Sequence, residues 1–345
     1  MPKAALLPSR ILRIVCAVFC ALSLPANVSA KEINPGAPIF KPAVVYLSIE
    51  QDIDNSFIAS AIAGTERARD ELGIDAALFS VKPDDNIYES LKAIALKGYS
   101  PIIAVGNQNV LPVQNLADSY PKIRFSVVDG LVPPLYPNVQ SITFRDHEGA
   151  FLIGFIAAYA SKSDHIGFIG GMDVPLIRNF ALGFEQGAKL ANPDIRVDQD
   201  MIGDTPVAWN NPERGFKLAR EQFDSGADII FAAAGGSTRG VLKAAQTYGK
   251  LGIGVDTNQN GLYPGHVLTS LVKRVDIAVY DALISAKEGQ WQPGIKMLGL
   301  KEGALDYAVD QHNKGLMSND LVDKAANVKE RIINGIIDVK SYTVR

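Results

Sequence analysis

The chain alternates short runs of β-branched and other apolar residues with longer segments in which apolar residues recur every three or four positions. Four of these runs are predicted strands: 43–49, 76–81, 101–105 and 123–128. The predicted helices between them cover about 56–72, 85–98 and 108–119. This order is typical of βαβ units, whose strands lie side by side in a parallel sheet. A parallel α/β unit is therefore predicted for this part of the chain.

The same alternation begins again after a predicted strand at 139–144 and a buried, apolar helix at about 147–161. The second set of strands covers 165–169, 195–202, 228–233 and 251–255, and the helices between them cover about 175–191, 211–225 and 238–248. The segments beyond 267 are predicted to complete these two units rather than form a third.

Chain crossings near 145, 271 and 301 predict a three-stranded hinge between the two units. Such a hinge favours two lobes that close over a cleft. The predicted N-terminal lobe covers 31–146 plus about 272–300. The predicted C-terminal lobe covers 147–271 plus about 301–345.

The first thirty residues differ in composition from the rest of the chain. Three basic residues precede an apolar run at 14–24, and small residues follow at 28 and 30. This pattern predicts a signal peptide cleaved after Ala30, because the run is shorter than the ~20 residues of a membrane span. Both cysteines, Cys16 and Cys20, lie in this segment, and each follows a bulky residue. We therefore expect an exported chain with neither a lipid anchor nor a disulfide.

Charge and motifs exclude several classes of function. Without the three basic residues of the leader, 31 of the 34 Lys and Arg stand against 37 Asp and Glu, which disfavours nucleic acid and anionic membranes as partners. The glycines at 167–171 do not fit a dinucleotide fingerprint, and the four histidines lack zinc spacing. The segment 256–261 copies the first half of a calcium loop, but Val267 stands where a Glu is required. We expect no cofactor, no metal and no catalytic residues.

A glycine-rich turn at 235–240 follows a predicted strand and precedes a predicted helix. It matches neither a phosphate loop nor a nucleophile elbow. Two interpretations stay open: a tight strand-to-helix turn, or a turn whose backbone amides face a ligand.

Seven short segments together resemble one protein family. They are 54–57, 125–129, 148–152, 170–175, 183–184, 253–256 and 268–273. Over about 43–335 the chain looks like the basic membrane protein family of ABC-transporter substrate-binding proteins, of the purine-nucleoside-receptor type. The resemblance implies a bilobed type I periplasmic binding protein fold with two parallel-sheet α/β domains. It also implies a periplasmic monomer that captures a small-molecule ligand, a purine nucleoside, for an ABC permease in the inner membrane.

The resemblance implies a role for five residues of the cleft. Phe57 and Trp209 correspond to the two aromatic rings that sandwich a purine in this family. Flat rings suit a base, because stacking adds ~0.5–1.5 kcal/mol to simple burial. Asp129 ends a predicted strand and would accept hydrogen bonds from the edge of the base. Asp256 and Lys273 would bind the ribose hydroxyls.

Three further residues are candidate ligand contacts: Ser56 beside the first ring, Asn107 in the polar segment 106–109, and Gly235 in the glycine-rich turn. The chain departs from the family at two places. Ile58 stands where the family commonly has Asn, and the segment 106–109 is more polar than in the family, which often has an aromatic residue there.

Several alternatives stay open. Phe57 could be a core residue, Trp209 a ring packed over a helix end, and Asp256 a helix N-cap. The two departures from the family favour a free purine base or a flavin as alternative ligands. A periplasmic nucleoside-processing enzyme, with Asp54 or Asp256 as metal ligand or base, is the rival from another class. A transcriptional regulator of the same fold would need a helix-turn-helix where the predicted signal peptide stands.

Overall fold

Twelve strands and nine α-helices make up the part of this computed structural model that is described, residues 40–47, 56–82 and 84–342. In chain order they are β1 (Ala43–Leu47), α1 (Ser56–Leu72), β2 (Ala77–Val81), α2 (Ile87–Leu96), β3 (Ile102–Val105), α3 (Val110–Ala117), β4 (Phe125–Val128), β5 (Val139–Phe144), α4 (Asp146–Ala160), β6 (His165–Met172), α5 (Pro175–Ala191), β7 (Arg196–Gly203), α6 (Pro212–Asp224), β8 (Ile229–Ala233), α7 (Thr238–Thr247), β9 (Leu251–Asp256), β10 (Val267–Lys273), α8 (Val275–Lys287), β11 (Gly294–Leu298), β12 (Leu305–Tyr307) and α9 (Asn319–Ile333). The predicted signal peptide lies outside the described residues.

The strands form two sheets of six with the same internal order. The first runs β11–β5–β4–β3–β1–β2 and is parallel throughout. The second runs β12–β10–β9–β8–β6–β7 and is parallel except at its edge, where β12 is antiparallel to β10. The connection from β11 to β12 is short and contains no helix. A parallel strand needs a crossover connection, usually a helix, and without one β12 runs antiparallel to its neighbour. The prediction of two parallel α/β units is confirmed, with this one exception at an edge.

Helices cover both faces of each sheet, so the central strands are buried along their length rather than at alternate residues. Every residue of β3, β4 and β8 is buried. Two apolar clusters flank the first sheet and two flank the second. This is the arrangement expected of parallel sheets, whose strands do not face water.

Helix α4 carries the apolar stretch that was predicted to be a buried helix. Eleven of its 15 residues are buried. It packs against α5 through glycine: a Cβ at Gly154 would lie 1.9 Å from the carbonyl oxygen of Phe184, and one at Gly187 would lie 1.8 Å from that of Phe151. The two backbones approach so closely that only glycine fits at these positions. No helix in the described ranges is long and apolar enough to cross a bilayer.

The chain passes between the two sheets three times, at 144–146, 273–275 and 298–305. These crossings confirm the predicted three-stranded hinge. The residue limits that we predict for the two lobes remain a prediction.

Hydrogen bonds join the three crossings to one another. Arg145 (φ −83°, ψ 61°) and Arg274 (φ −80°, ψ 66°) have the same conformation, and each lies between a strand and a helix. Their backbone N–H groups donate to the third crossing, to Leu298 O and Ala304 O, both at 2.8 Å. The Arg145 guanidinium also forms an ion pair with Glu302 at 3.0 Å. The hinge is therefore a bonded unit rather than three independent linkers.

Candidate functional site

A cavity of about 220 Å³ lies at the carboxyl ends of the central strands of both sheets. Open α/β sheets bind ligands at this edge, where the strand order reverses. Seven of the eight predicted ligand-binding residues line the cavity: Phe57, Asn107, Asp129, Trp209, Gly235, Asp256 and Lys273. The eighth, Ser56, is the first residue of α1, and its side chain lies outside the described part of the chain.

Asp129 and Asp256 occupy equivalent positions, one directly after β4 and the other at the end of β9. Both have left-handed backbone, with φ of 62° and 69°, and their residues are only 7% and 8% exposed. This conformation costs a non-glycine residue about 1–2 kcal/mol, and Asp is one of the few that visit it. Such strain concentrates at functional sites. No helix follows β9 before β10, so the alternative interpretation of Asp256 as a helix N-cap is wrong.

Lys273 ends β10 and lies beneath the cavity with only 2% of its surface exposed. Its ammonium donates to Asp129 Oδ1 at 2.7 Å and forms an ion pair with Asp146 Oδ1 at 3.1 Å. Burial lowers the pKa of Lys273, but the attraction of Asp129, Asp146 and Asp256 outweighs it, and the pKa is raised. The ammonium is therefore charged throughout the physiological range.

Aromatic rings surround the same ammonium. Nζ of Lys273 lies 4.7 Å from the ring centroid of Phe144, 5.4 Å from that of Phe180 and 5.9 Å from that of Phe57. These distances allow cation–π attraction, which is strengthened by burial. Phe180 recurs at helical spacing with Phe184 and Ala188, a pattern typical of core residues. It is buried, as that pattern predicts, but it also lines the cavity.

Asp146 is a member of the site that was not predicted. It is the first residue of α4 and is 1% exposed. The contact with Lys273 is an ion pair, and neither carboxylate oxygen has a hydrogen-bond partner among the described residues. Burial raises the pKa of Asp146 to about 7; repulsion from Asp129 and Asp256 adds to this, and Lys273 opposes it. In the sequence, an acid in the first turn of a helix indicates only a favourable dipole interaction.

Trp209 lies in a 3-10 turn at Pro206–Asn210 that is attached to the glycine-rich turn of the same lobe. Ser237 Oγ donates to Ala208 O at 2.8 Å and accepts from the backbone N–H of Asn211 at 2.6 Å. The indole ring packs on Gly171, where a Cβ would lie 2.5 Å from a ring carbon. The ring is thus held at the cavity wall by its own loop and by a residue without a side chain.

The first-lobe wall combines an apolar helix start with a polar turn. Phe57 and Ile58 of α1 both line the cavity, and Ile58 is 4% exposed. Asn107 and Gln108, in the turn after β3, line it as well. Asn109 is instead structural, because its amide donates to Val105 O at 2.9 Å and to Gly106 O at 3.0 Å. Both predicted departures from the family therefore lie at the cavity.

The incomplete calcium loop is held by protein groups. Asn258 Nδ2 donates to Asp310 Oδ2 at 2.6 Å, and Asn260 Nδ2 donates to the same oxygen at 3.1 Å. In the residues that the structure describes, no group of three or more His, Cys, Asp or Glu is arranged to hold a metal ion.

The two parallel-dominated sheets, the three-crossing hinge and the cavity between them define a bilobed binding protein of the type I periplasmic class. A solved structure of an ABC transporter solute-binding protein from Aeropyrum pernix superposes with a TM-score of 0.79 at 26% identity, covering 88% of this chain and 94% of that one. Basic membrane protein A2 of Borrelia garinii is 31% identical over 288 residues, 81% of this chain and 83% of the relative. An uncharacterised lipoprotein of Pyrococcus furiosus is 32% identical over 264 residues, 74% of this chain but 66% of the relative, slightly less than two thirds of its length.

The sequence profile of the family described as ABC transporter substrate-binding protein PnrA-like matches residues 43–343. This chain belongs to that family, and the predicted resemblance is confirmed. The description of the Pyrococcus relative as a lipoprotein counts against our expectation of a chain without a lipid anchor. Cys16 and Cys20, on which that expectation rests, lie outside the described residues.

Proposed function

We propose that this chain is the ligand-capturing component of an ABC uptake system and that its two lobes close over a purine nucleoside. The observation that carries the proposal is the composition of the cavity wall. Phe57 and Asp129 come from the first lobe, Trp209 and Asp256 from the second, and Lys273 from the hinge. Rings that stack on a base, and charged groups that bond hydroxyls, are the chemistry that a nucleoside requires.

Contacts from both lobes allow a ligand to drive closure. Moving an open–closed equilibrium from 1:99 to 99:1 requires about 5.5 kcal/mol of preference for the closed form. Hydrogen bonds to charged groups contribute ~1.5–3 kcal/mol each, and a stacked ring adds ~0.5–1.5 kcal/mol. Contacts of this kind from each lobe are enough to reach that preference and to support micromolar binding, about −8 kcal/mol.

The proposal extends to location and partners. The predicted leader and the family support export to the periplasm, where a monomer would deliver its ligand to a permease in the inner membrane. We propose no lipid anchor, because neither cysteine of the leader follows a small residue. We also propose binding without catalysis, since the family is one of substrate-binding proteins.

Isothermal titration of the mature chain, refolded to remove any copurified ligand, tests the proposal. The panel is adenosine, guanosine, inosine, uridine, adenine and riboflavin. We expect purine nucleosides to bind at micromolar or lower Kd and Trp209→Ala to weaken binding by about tenfold or more.

Asp256→Asn tests the contact to the sugar, because Asn keeps the left-handed backbone but loses the charge. Asp164→Asn is the matched control, since Asp164 also has positive φ (52°) but does not line the cavity. We expect only D256N to weaken nucleoside binding. Binding of adenine or riboflavin alone would overturn the ribose role, silence across the panel would overturn the ligand class, and release of free base during titration would indicate an enzyme.

A further inference from the structure

The carboxylate of Asp146 has no part in the proposed function, yet it is the most deeply buried acid of the site. It begins α4 at the end of the first hinge crossing, while Lys273 ends β10 at the start of the second. The 3.1 Å ion pair between them therefore joins two strands of the hinge. Both carboxylate oxygens lack a hydrogen-bond donor among the described residues, although the residue is 1% exposed. A buried carboxylate with unsatisfied oxygens is costly unless it gains a proton or a partner.

The charged groups that face Asp146 come from three different strands. Lys273 of β10 attracts it, and Asp129 after β4 and Asp256 of β9 repel it. One ammonium thus faces three carboxylates, and it already donates to Asp129 at 2.7 Å. Neutralising Asp146 relieves the repulsion that Asp129 and Asp256 exert on it. Asp146 does not line the cavity, so its neutralisation removes no ligand contact.

The two acids that repel Asp146 lie on different lobes. Asp129 directly follows β4 of the first sheet, and Asp256 ends β9 of the second. Closure of the lobes over a ligand would bring both towards the hinge and remove water, and opening would reverse both effects. The ionised form of Asp146 is therefore less favourable in the closed state than in the open state.

We propose that Asp146 is a positioning residue that holds Lys273 at the hinge and takes up a proton as the lobes close on the ligand. The proposal rests on the proposed function for the identity of the ligand, but not for the proton itself. Because ligand and proton then favour the same closed state, each strengthens the binding of the other.

The direction in which affinity changes with pH follows from the rise in the pKa of Asp146. Burial raises the pKa of Asp146 to about 7, and closure raises this pKa relative to the open form. Affinity is then highest below the pKa of the open form and falls as pH rises through the pKa of the closed form. Each unit by which closure raises the pKa makes binding about tenfold tighter at low pH than at high pH.

Adenosine is the probe, because it has no group that titrates between about pH 6 and pH 8.5. Calorimetry of the wild-type protein in two buffers of different ionisation enthalpy at pH 7 measures the protons exchanged. We expect net uptake of a fraction of one proton and an affinity that falls from pH 6 to pH 8.5. Binding without proton exchange would overturn the proposal.

Asp146→Asn has the shape of the protonated acid and no charge to titrate. We expect this variant to bind adenosine with little pH dependence and without proton uptake. Asp320→Asn is the matched control, because Asp320 is also an acid in the first turn of a helix, α9, but lies on the surface, where it pairs with Lys324. Equal affinity losses in D146N at all pH values, with the wild-type slope retained, would reduce Asp146 to a structural role.

A measurement without ligand separates this proposal from the proposed function. The carboxyl carbon resonance of Asp146 should titrate in the free protein well above the ordinary range of Asp, towards the value of about 7, and be absent from D146N spectra. Titration near an ordinary Asp value of about 4 would overturn the proposal. Failure of adenosine to bind would count against the nucleoside alone, and the wild-type titration stands even if D146N does not fold.

Discussion

Replacing Lys273 by methionine tests how strongly the buried ion pairs hold the fold. Methionine keeps the length and apolar stem of the side chain but removes the ammonium that faces Asp129 and Asp146. We expect K273M to lose about 3–5 kcal/mol of unfolding free energy at pH 8, because removing one partner leaves buried charges uncompensated.

The magnitude follows from the two distances. At an effective dielectric constant of about 20, the attraction is about 6 kcal/mol over the 2.7 Å contact and about 5 kcal/mol over the 3.1 Å contact. Taking the ammonium out of water costs several kcal/mol, which offsets much of this attraction. The remainder is in the range found when one partner of a buried pair is removed.

The loss should depend on pH with a definite sign. Removing Lys273 removes the group that opposes the rise in the pKa of Asp146, so this pKa moves above its wild-type value of about 7. An acid with a raised pKa in the folded state contributes stability that is full below its unfolded pKa of about 4 and lost as pH rises through the folded value. The deficit of K273M should therefore be largest at pH 8 and smaller at pH 5.5.

Urea unfolding of both proteins, followed by circular dichroism at the two pH values, measures this deficit. Lys296→Met is the matched control, because Lys296 pairs with Asp281 at 3.0 Å on the surface, and exposed pairs contribute ~0–1 kcal/mol. A deficit below about 1 kcal/mol in K273M at both pH values, or one that grows towards pH 5.5, would refute the reasoning.

Two glycine variants separate binding from stability. In Gly171→Ala the new Cβ would lie 2.5 Å from the Trp209 ring, so we expect adenosine affinity to fall about tenfold in calorimetry with little change in Tm; unchanged affinity would mean that the ring does not form the wall. In Gly187→Ala the Cβ would lie 1.8 Å from Phe151 O, so we expect a loss of about 3 kcal/mol in urea unfolding, whereas Gly203→Ala, with its nearest neighbour at 3.6 Å, should lose less than about 1 kcal/mol. Equal losses in the two variants would contradict the close packing of α4 on α5.

Local pattern was sufficient to predict the elements of the fold. Helix α5 begins at Pro175 and ends at Ala191, as predicted, because proline favours the first turn and Asn192 follows the last apolar position. Helix α2 is shorter than the predicted 85–98, because the side chain of Asn86 caps its N-terminus and its last turn ends before Gly98. The direction of β12 was not predicted, because it depends on how the third hinge crossing leads the chain into the second sheet. Composition does not show this.

The candidate site was predictable where a residue stands at the end of a strand. Asp129 and Asp256 are such residues, and parallel topology alone places them at one edge. Asp146 was missed because its partner, Lys273, is distant in sequence, and burial of an acid leaves no local mark. The spacing of Phe180 correctly indicates a buried residue, but not that it lines the cavity. Spacing shows which face of a helix is buried, not where that face meets a cavity.

Asp129 and Asp256 stand at equivalent strand ends of the two lobes, and together they favour the open form of a cleft without ligand. Closure without a ligand would bring the carboxylates of Asp129 and Asp256 into a cleft with less water, and both of them attract the same buried ammonium, that of Lys273. A protein without ligand would therefore favour the open form, and a molecule rich in hydrogen-bond donors would stabilise the closed form by donating to both acids. In the proposed transport cycle, copies without ligand would then differ in conformation from copies with ligand. The permease would meet the closed form in those copies that carry a ligand.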